Sequence, residues 1–165
     1  MWSAASQLTL TSGLEDPNGG TNAWQLQNTG AGGQSLTQVL NVPTTYTYTF
    51  SVYLRAARVT SATLLLGSGT SAVALSNGWH RYQITGTGST MTNYLTFGIE
   101  VPAGAAVGVF GPQAEAQQTA SVYQIATKGG VYANARLEDD FLAITTTGVN
   151  RHSATVKILY YANNL

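Results

Sequence analysis

The stretch Thr45-Tyr46-Thr47-Tyr48-Thr49-Phe50-Ser51-Val52-Tyr53-Leu54-Arg55 alternates without a break. Tyr46, Tyr48, Phe50, Val52 and Leu54 share one parity; the hydroxyls of 45, 47, 49 and 51, then Tyr53 and Arg55, share the other. A period of two puts successive side chains on opposite faces of a sheet, so this is a half-buried β-strand. It is long by the usual statistics of strands. Its second face carries small hydroxyls, a ring and a guanidinium, a mixture that suits a face meeting a polar ligand or another chain.

Working outward, short β-like runs dominate the chain. Strands are predicted at residues 7–11, 23–29, 35–41, 45–55, 61–66, 71–75, 79–85, 93–101 and 106–111. Turn signals stand where these should stop: Asn18-Gly19-Gly20, Gly30 to Gly33, Gly67-Ser68-Gly69, Asn77-Gly78 and Pro102. Asn77-Gly78 suits a tight turn, because both residues tolerate positive φ. Beyond it, Trp79, Arg81 and Gln83 are expected on one face and His80, Tyr82 and Ile84 on the other. No window carries apolar residues at helical spacing over three turns. Many strands at short spacing mean an all-β sandwich or barrel.

Composition narrows the function. Of 165 residues, 44% are hydrophobic, enough for a real core, but only 8% are charged, against roughly 25% in average globular proteins. The polar surface must therefore be built from Thr, Ser, Asn, Gln and Gly. Such surfaces are common in secreted, virion and adhesin-like β-proteins. Seven basic and seven acidic residues cancel, so nothing marks a phosphate-binding surface and nucleic acid is not an expected partner. Absence of cysteine excludes disulfides and thiolate metal sites. The opening MWSAASQLTL lacks a basic n-region and a long apolar run, so no signal peptide is expected. No stretch reaches the roughly 18 apolar residues of a membrane span.

Half of the charges lie from Lys128 onward: Lys128, Arg136, Glu138, Asp139, Asp140, Arg151 and Lys157. Lys128-Gly129-Gly130 reads as a hinge. It divides the chain into a sandwich over 1–127 and a β-rich tail over 128–165. A tail this short rarely folds alone without disulfides or metal, so it is expected to pack on the main domain or on neighbouring copies, for attachment or homo-oligomerisation.

Three segments in order, 16–26 (DPNGGTNAWQL), 48–56 (YTFSVYLRA) and 77–87 (NGWHRYQITGT), resemble the jelly-roll sandwich of carbohydrate-binding modules. Segment 109–127 (VFGPQAEAQQTASVYQIAT) resembles the closing strand of such domains in bacteriophage fibre and spike proteins. Segment 135–158 is similar to C-terminal parts of phage and gene-transfer-agent head-spike proteins. The resemblance implies a head spike or fibre on a virion surface, assembled with other virion proteins and binding host-surface polysaccharide. The alternative is a secreted carbohydrate-binding module of a polysaccharide-active enzyme.

Tyr53 and Arg55, with Tyr94 and Thr96 on a neighbouring strand, are the candidate glycan contacts. Rings stack on sugar C–H faces, and Arg and Thr bond hydroxyls. The competing reading packs them against a subunit, the tail or a loop. Trp79 and Trp24 are expected to serve packing. Carbohydrate modules often hold a structural calcium near the early loop, which makes Asp16 and Glu115 the candidate metal ligands; the plainer reading of Asp16-Pro17-Asn18-Gly19 is an Asx-type turn. Catalysis is not expected. His80 and His152 sit in no metal-ligand spacing, Glu138-Asp139-Asp140 alternate sides in a strand, and nothing in the sequence fixes a pair of acids across a cleft as a glycosidase needs. The run from Gly67 to Ala72 matches GxGxxA, but no helix follows, so it reads as a hairpin turn.

Overall fold

The computed structural model describes residues 1–58, 60–88 and 93–123. The chain divides into two compact units, Met1–Ser121 and Val122–Leu165. The expected boundary at Thr127, the Lys128-Gly129-Gly130 hinge, the acidic run Glu138-Asp139-Asp140 and His152 lie outside the described residues.

The first unit is a jelly-roll-like sandwich of ten strands: β1 (Trp2–Ala4), β2 (Leu8–Leu14), β3 (Ala23–Asn28), β4 (Gln34–Leu40), β5 (Thr47–Arg55), β6 (Thr60–Leu66), β7 (Gly69–Leu75), β8 (His80–Thr87), β9 (Leu95–Val101) and β10 (Ala106–Glu115). They form two five-stranded sheets, ordered β1-β4-β9-β6-β7 (the first sheet) and β2-β3-β10-β5-β8 (the second). Every pairing between them is antiparallel.

The alternation of β5 sets the core. Tyr48, Phe50, Val52 and Leu54 are all at most 1% exposed and face the other sheet. There they meet the inward residues of β9 and β6: Leu95, Phe97, Ile99, Val101, Leu64 and Leu66. Phe50 and Phe97 bridge the sheets with tilted rings 5.1 Å apart. Each such side chain contributes roughly 1.5–3 kcal/mol by leaving water. Asn28, fully buried, is the polar link across the layers. Its Nδ2 donates to Gly32 O and Val101 O, both at 2.8 Å, and its Oδ1 accepts from Gly30 N at 2.8 Å. With every one of these groups paired, the amide ties the loop after β3 to the end of β9 without leaving an orphan.

The structure adjusts several sequence expectations. β5 starts at Thr47, because Thr44–Tyr46 turn and Tyr48 Oη donates to Pro43 O at 2.6 Å. The three-residue β1 has too short a pattern to read. β10 runs on to Glu115 through an irregularity between Phe110 and Gln113, where Gly111 takes φ 58. Asn77-Gly78 is not a hairpin turn: neither residue has positive φ, and the segment carries the chain from β7 in the first sheet to β8 in the second. The Gly67-Ser68 loop is the hairpin. Leu66 pairs with Gly69 across it, and Gly67 takes φ 59 at the first loop position, as a two-residue loop needs.

Candidate functional site

The residues of β5 that point away from the core look out from the second sheet. Strand register arranges this outer face in rows. Gln25, Gly108 and Arg55 form one row. Phe110, Tyr53 and Arg81 form the next. Gln113, Ser51 and Gln83 follow, and then Glu115, Thr49 and Thr85. The face is therefore built of amides, hydroxyls, rings, two guanidinium groups and the Glu115 carboxylate.

Two parts of this face differ. At the Thr49 end the chain covers itself. After β10, residues 116–121 turn back over the sheet as a strap, and Thr49 and Ser51 are 0% exposed although they point away from the core. Side chains of the sheet hold the strap by its backbone. Thr49 Oγ1 donates to Gln117 O at 2.7 Å and Thr85 Oγ1 to Gln118 O at 3.2 Å. Gln83 Oε1 accepts from Ala120 N at 3.2 Å. Arg81 donates through Nη1 to Ser121 O and through Nη2 to Ser51 Oγ, the latter at 2.8 Å. The Glu115 carboxylate closes the strap on itself, accepting from Ser121 N at 3.0 Å, from Gln117 Nε2 at 2.9 Å and from Ser121 Oγ.

The Arg55 end lies beyond the hydrogen bonds that seat the strap. Gly108 has no side chain there, so three neighbours converge above its backbone. A Cβ at 108 would lie 3.0 Å from Arg55 Cγ, 3.0 Å from Leu14 Cδ2 and 3.2 Å from Trp79 Cη2. The Arg55 guanidinium sits 4.8 Å from the Trp79 ring centroid, within cation–π range. Arg55 and Trp79 are half-buried, and Gln25 beside them is exposed. Tyr53, half-buried, packs 6.1 Å from the Phe110 ring and 5.7 Å from the Arg81 guanidinium. Two buried donors on this face, Trp79 Nε1 and Arg81 Nε, have no acceptor among the described residues. An unmet buried donor costs roughly 1–3 kcal/mol.

The four candidate glycan contacts are not brought together. Tyr53 and Arg55 lie on the outer face of the second sheet. Thr96 lies on β9 in the first sheet, with Tyr94, 48% exposed, just before that strand. β9 pairs with β4 and β6 rather than with β5, so the hydrophobic core separates the two pairs. Trp79 and Gln25, which the sequence offered only as packing and as a strand residue, join Arg55 instead. The spacing in WHRYQIT that puts Trp79, Arg81 and Gln83 on one side was the available signal. Trp24, 47% exposed, falls on the parity of Leu26, not of Gln25.

The two candidate metal ligands are engaged by donors. Asp16 accepts from the backbone N–H groups of Asn18, Gly20 and Asn22 at 2.8–3.1 Å and from Asn22 Nδ2 at 3.0 Å. Burial works to raise its pKa, and the hydrogen bonds from Asn18, Asn22 and Gly20 outweigh it, so the carboxyl lies below its ordinary 3.8. Asp16 thus forms the Asx-type closure of its loop, and Glu115 anchors the strap. Among the described residues, no three or more His, Asp or Glu side chains gather as a metal-binding group.

No family model and no curated protein matches this chain. Solved structures do. The CBM22-1 xylan-binding domain from Paenibacillus barcinonensis is 15% identical, covering 68% of this chain and 83% of its own, with TM-score 0.56. The C-terminal family 22 carbohydrate-binding module of a Clostridium thermocellum protein, whose cleft residues act in ligand binding, is 17% identical over 68% of this chain and 83% of its own, with TM-score 0.52. The CBM61 module solved with β-1,4-galactotriose is 13% identical over 69% and 86%, with TM-score 0.50. At these identities the likeness is one of fold: this chain has the sandwich of carbohydrate-binding modules.

Proposed function

We propose that this chain is a carbohydrate-binding module that holds a polysaccharide without cleaving it. The site is the open part of the outer face of the second sheet, with Arg55, Trp79 and Gln25 as contacts. One observation carries the reading: on the outer face of the second sheet the Arg55 guanidinium lies 4.8 Å from the Trp79 ring centroid beside the exposed amide of Gln25, and Gly108 leaves the space in which the Arg55 and Trp79 side chains meet. Sugar recognition asks for that combination. The ring offers an apolar surface to C–H groups, while the guanidinium fork and the amide supply fixed hydrogen bonds to hydroxyls.

The fold neighbours bind xylan and a β-1,4-galactan fragment, so xylo- and β-1,4-galacto-oligosaccharides from the di- to the hexasaccharide are the first probes. The expected result is calorimetric binding of at least one series by the intact chain, lost in Arg55→Ala and in Trp79→Ala, with the sugar recovered uncut. A folded protein that binds neither series overturns the assignment for these glycans. A second reading places the same module on a phage-like particle as a head spike or fibre binding host glycans. The 8% charge content and the resemblance of segment 109–127 favour it. Light scattering of the intact chain tests it: a stable homo-oligomer supports the particle, and a monomer at high concentration supports the free module.

A further inference from the structure

We infer that the site takes the end of a glycan chain, because the strap of residues 116–121 fills the continuation of its groove. The inference rests on the glycan reading above and deepens it. A sandwich face that accepts the interior of a polysaccharide must leave the chain a way in and a way out. Here the rows of the outer face follow β5 from Arg55 to Thr49, seven residues and so roughly 20 Å at about 3.4 Å per residue. Only the Arg55 end of that run is clear of the strap.

The covered part has the chemistry of a sugar groove. The strap is seated by hydroxyl, amide and guanidinium groups: Thr49, Thr85, Gln83 and Arg81 bond the backbone groups of Gln117, Gln118, Ala120 and Ser121. These are the side-chain types that would bond successive hydroxyls of a bound oligosaccharide, and the strap meets them instead with peptide carbonyls and N–H groups. A glycan extending past Arg55 toward Thr49 would have to displace those bonds and the three that Glu115 makes to the strap. The strap therefore acts as a stop. The ligand class is a chain terminus, with one or two sugar residues lying at Arg55 and Trp79 and the remainder leading away from the protein.

Length dependence tests this in the intact chain, using the two oligosaccharide series named above. Affinity is expected to level off at the disaccharide. A rise of about tenfold or more from di- to hexasaccharide overturns the inference while leaving the glycan reading intact. Absence of binding at every length, by a protein that melts cooperatively, overturns the glycan reading and the stop together. The complementary variant is Glu115→Ala, which removes three strap bonds and touches no residue of the open site. It is expected to let the hexasaccharide bind more tightly while disaccharide affinity stays put. If Glu115→Ala does not fold, Gln83→Ala, which removes one strap bond from an exposed side chain, serves the same comparison. Faster amide exchange at residues 117–121 with an unchanged, flat length profile overturns the inference.

Discussion

Gly98 and Gly108 occupy matching places. Each is an outward-facing position of the central strand of its sheet, β9 in one and β10 in the other. Their surroundings differ in kind. A Cβ on Gly98 would meet backbone: Leu36 O at 2.1 Å and Thr37 Cα at 2.8 Å on the neighbouring β4. A Cβ on Gly108 would meet only side chains: Arg55, Leu14 and Trp79 at 3.0–3.2 Å. Backbone cannot step aside without breaking the β4–β9 ladder, whereas side chains can change rotamer. The first glycine is therefore there for the fold and the second for what gathers above it. The same contrast runs through the two sheets. Both are held by antiparallel backbone register, and the second is also tied by side chains that reach over its outer face, at the strap and at the open site.

The largest effect expected is on the backbone side of this contrast. Gly98→Ala should lower stability by about 3 kcal/mol, the upper end for forced overpacking. Urea unfolding measures it through a shift in midpoint at constant slope. A loss under about 1 kcal/mol would mean that β4 moves away freely, and the contrast between the glycines would fail. Next come Arg55→Ala and Trp79→Ala. Each should weaken glycan binding by about tenfold or more, or about 1.4 kcal/mol, with smaller changes in melting temperature. Gly108→Ala should follow, with a destabilisation of about 1 kcal/mol or less because flexible side chains absorb the methyl group. Its signature is a fall in glycan affinity larger than its fall in stability. If Gly98→Ala and Gly108→Ala behaved alike, the outer face of the second sheet would be ordinary packing.

Much of the fold is readable in the sequence, for a local reason. The alternation of residues 46–54 states which side chains face the core, and Tyr48, Phe50, Val52 and Leu54 do. Gly67-Ser68 states a hairpin because the backbone requirement is carried by one residue. What is not readable is anything that needs strand neighbours. Tyr94 and Thr96 pair a ring with a hydrogen-bonding group as Tyr53 and Arg55 do, yet β9 lies in the opposite sheet, and only long-range pairing decides that. Asn77-Gly78 has the composition of a tight turn but connects two sheets, so its backbone bends at negative φ. The strap leaves no periodic mark either. Its bonds run from side chains of distant strands to its backbone, and a backbone group has no letter in the sequence. The site was half legible for the same reason. The alternation places Arg55 outward, but Gly108 and Gln25, which set its floor and flank, enter through register alone.

The smallest effect expected lies at Asp16, where the second sheet is again closed by a side chain. Its carboxylate gathers the loop between β2 and β3 through Asn18, Gly20 and Asn22. Those hydrogen bonds favour the charged form and hold the folded pKa below 3.8 against the opposing pull of burial. A lowered folded pKa means that the unfolded chain takes up the proton first as pH falls. The stabilisation is therefore fully present above the unfolded value, and it is lost as pH drops through the folded one. Asp16→Asn keeps the shape of the side chain but replaces one charged acceptor with a donor. It should melt at a lower temperature than the natural chain at neutral pH, and the gap should close as pH is taken below 3.8. Melting curves of both proteins across that range measure it. A gap that persists unchanged in acid would show that the loop is held by shape rather than charge. Asp16 would then stand with Gly98, as a residue required by its surroundings alone.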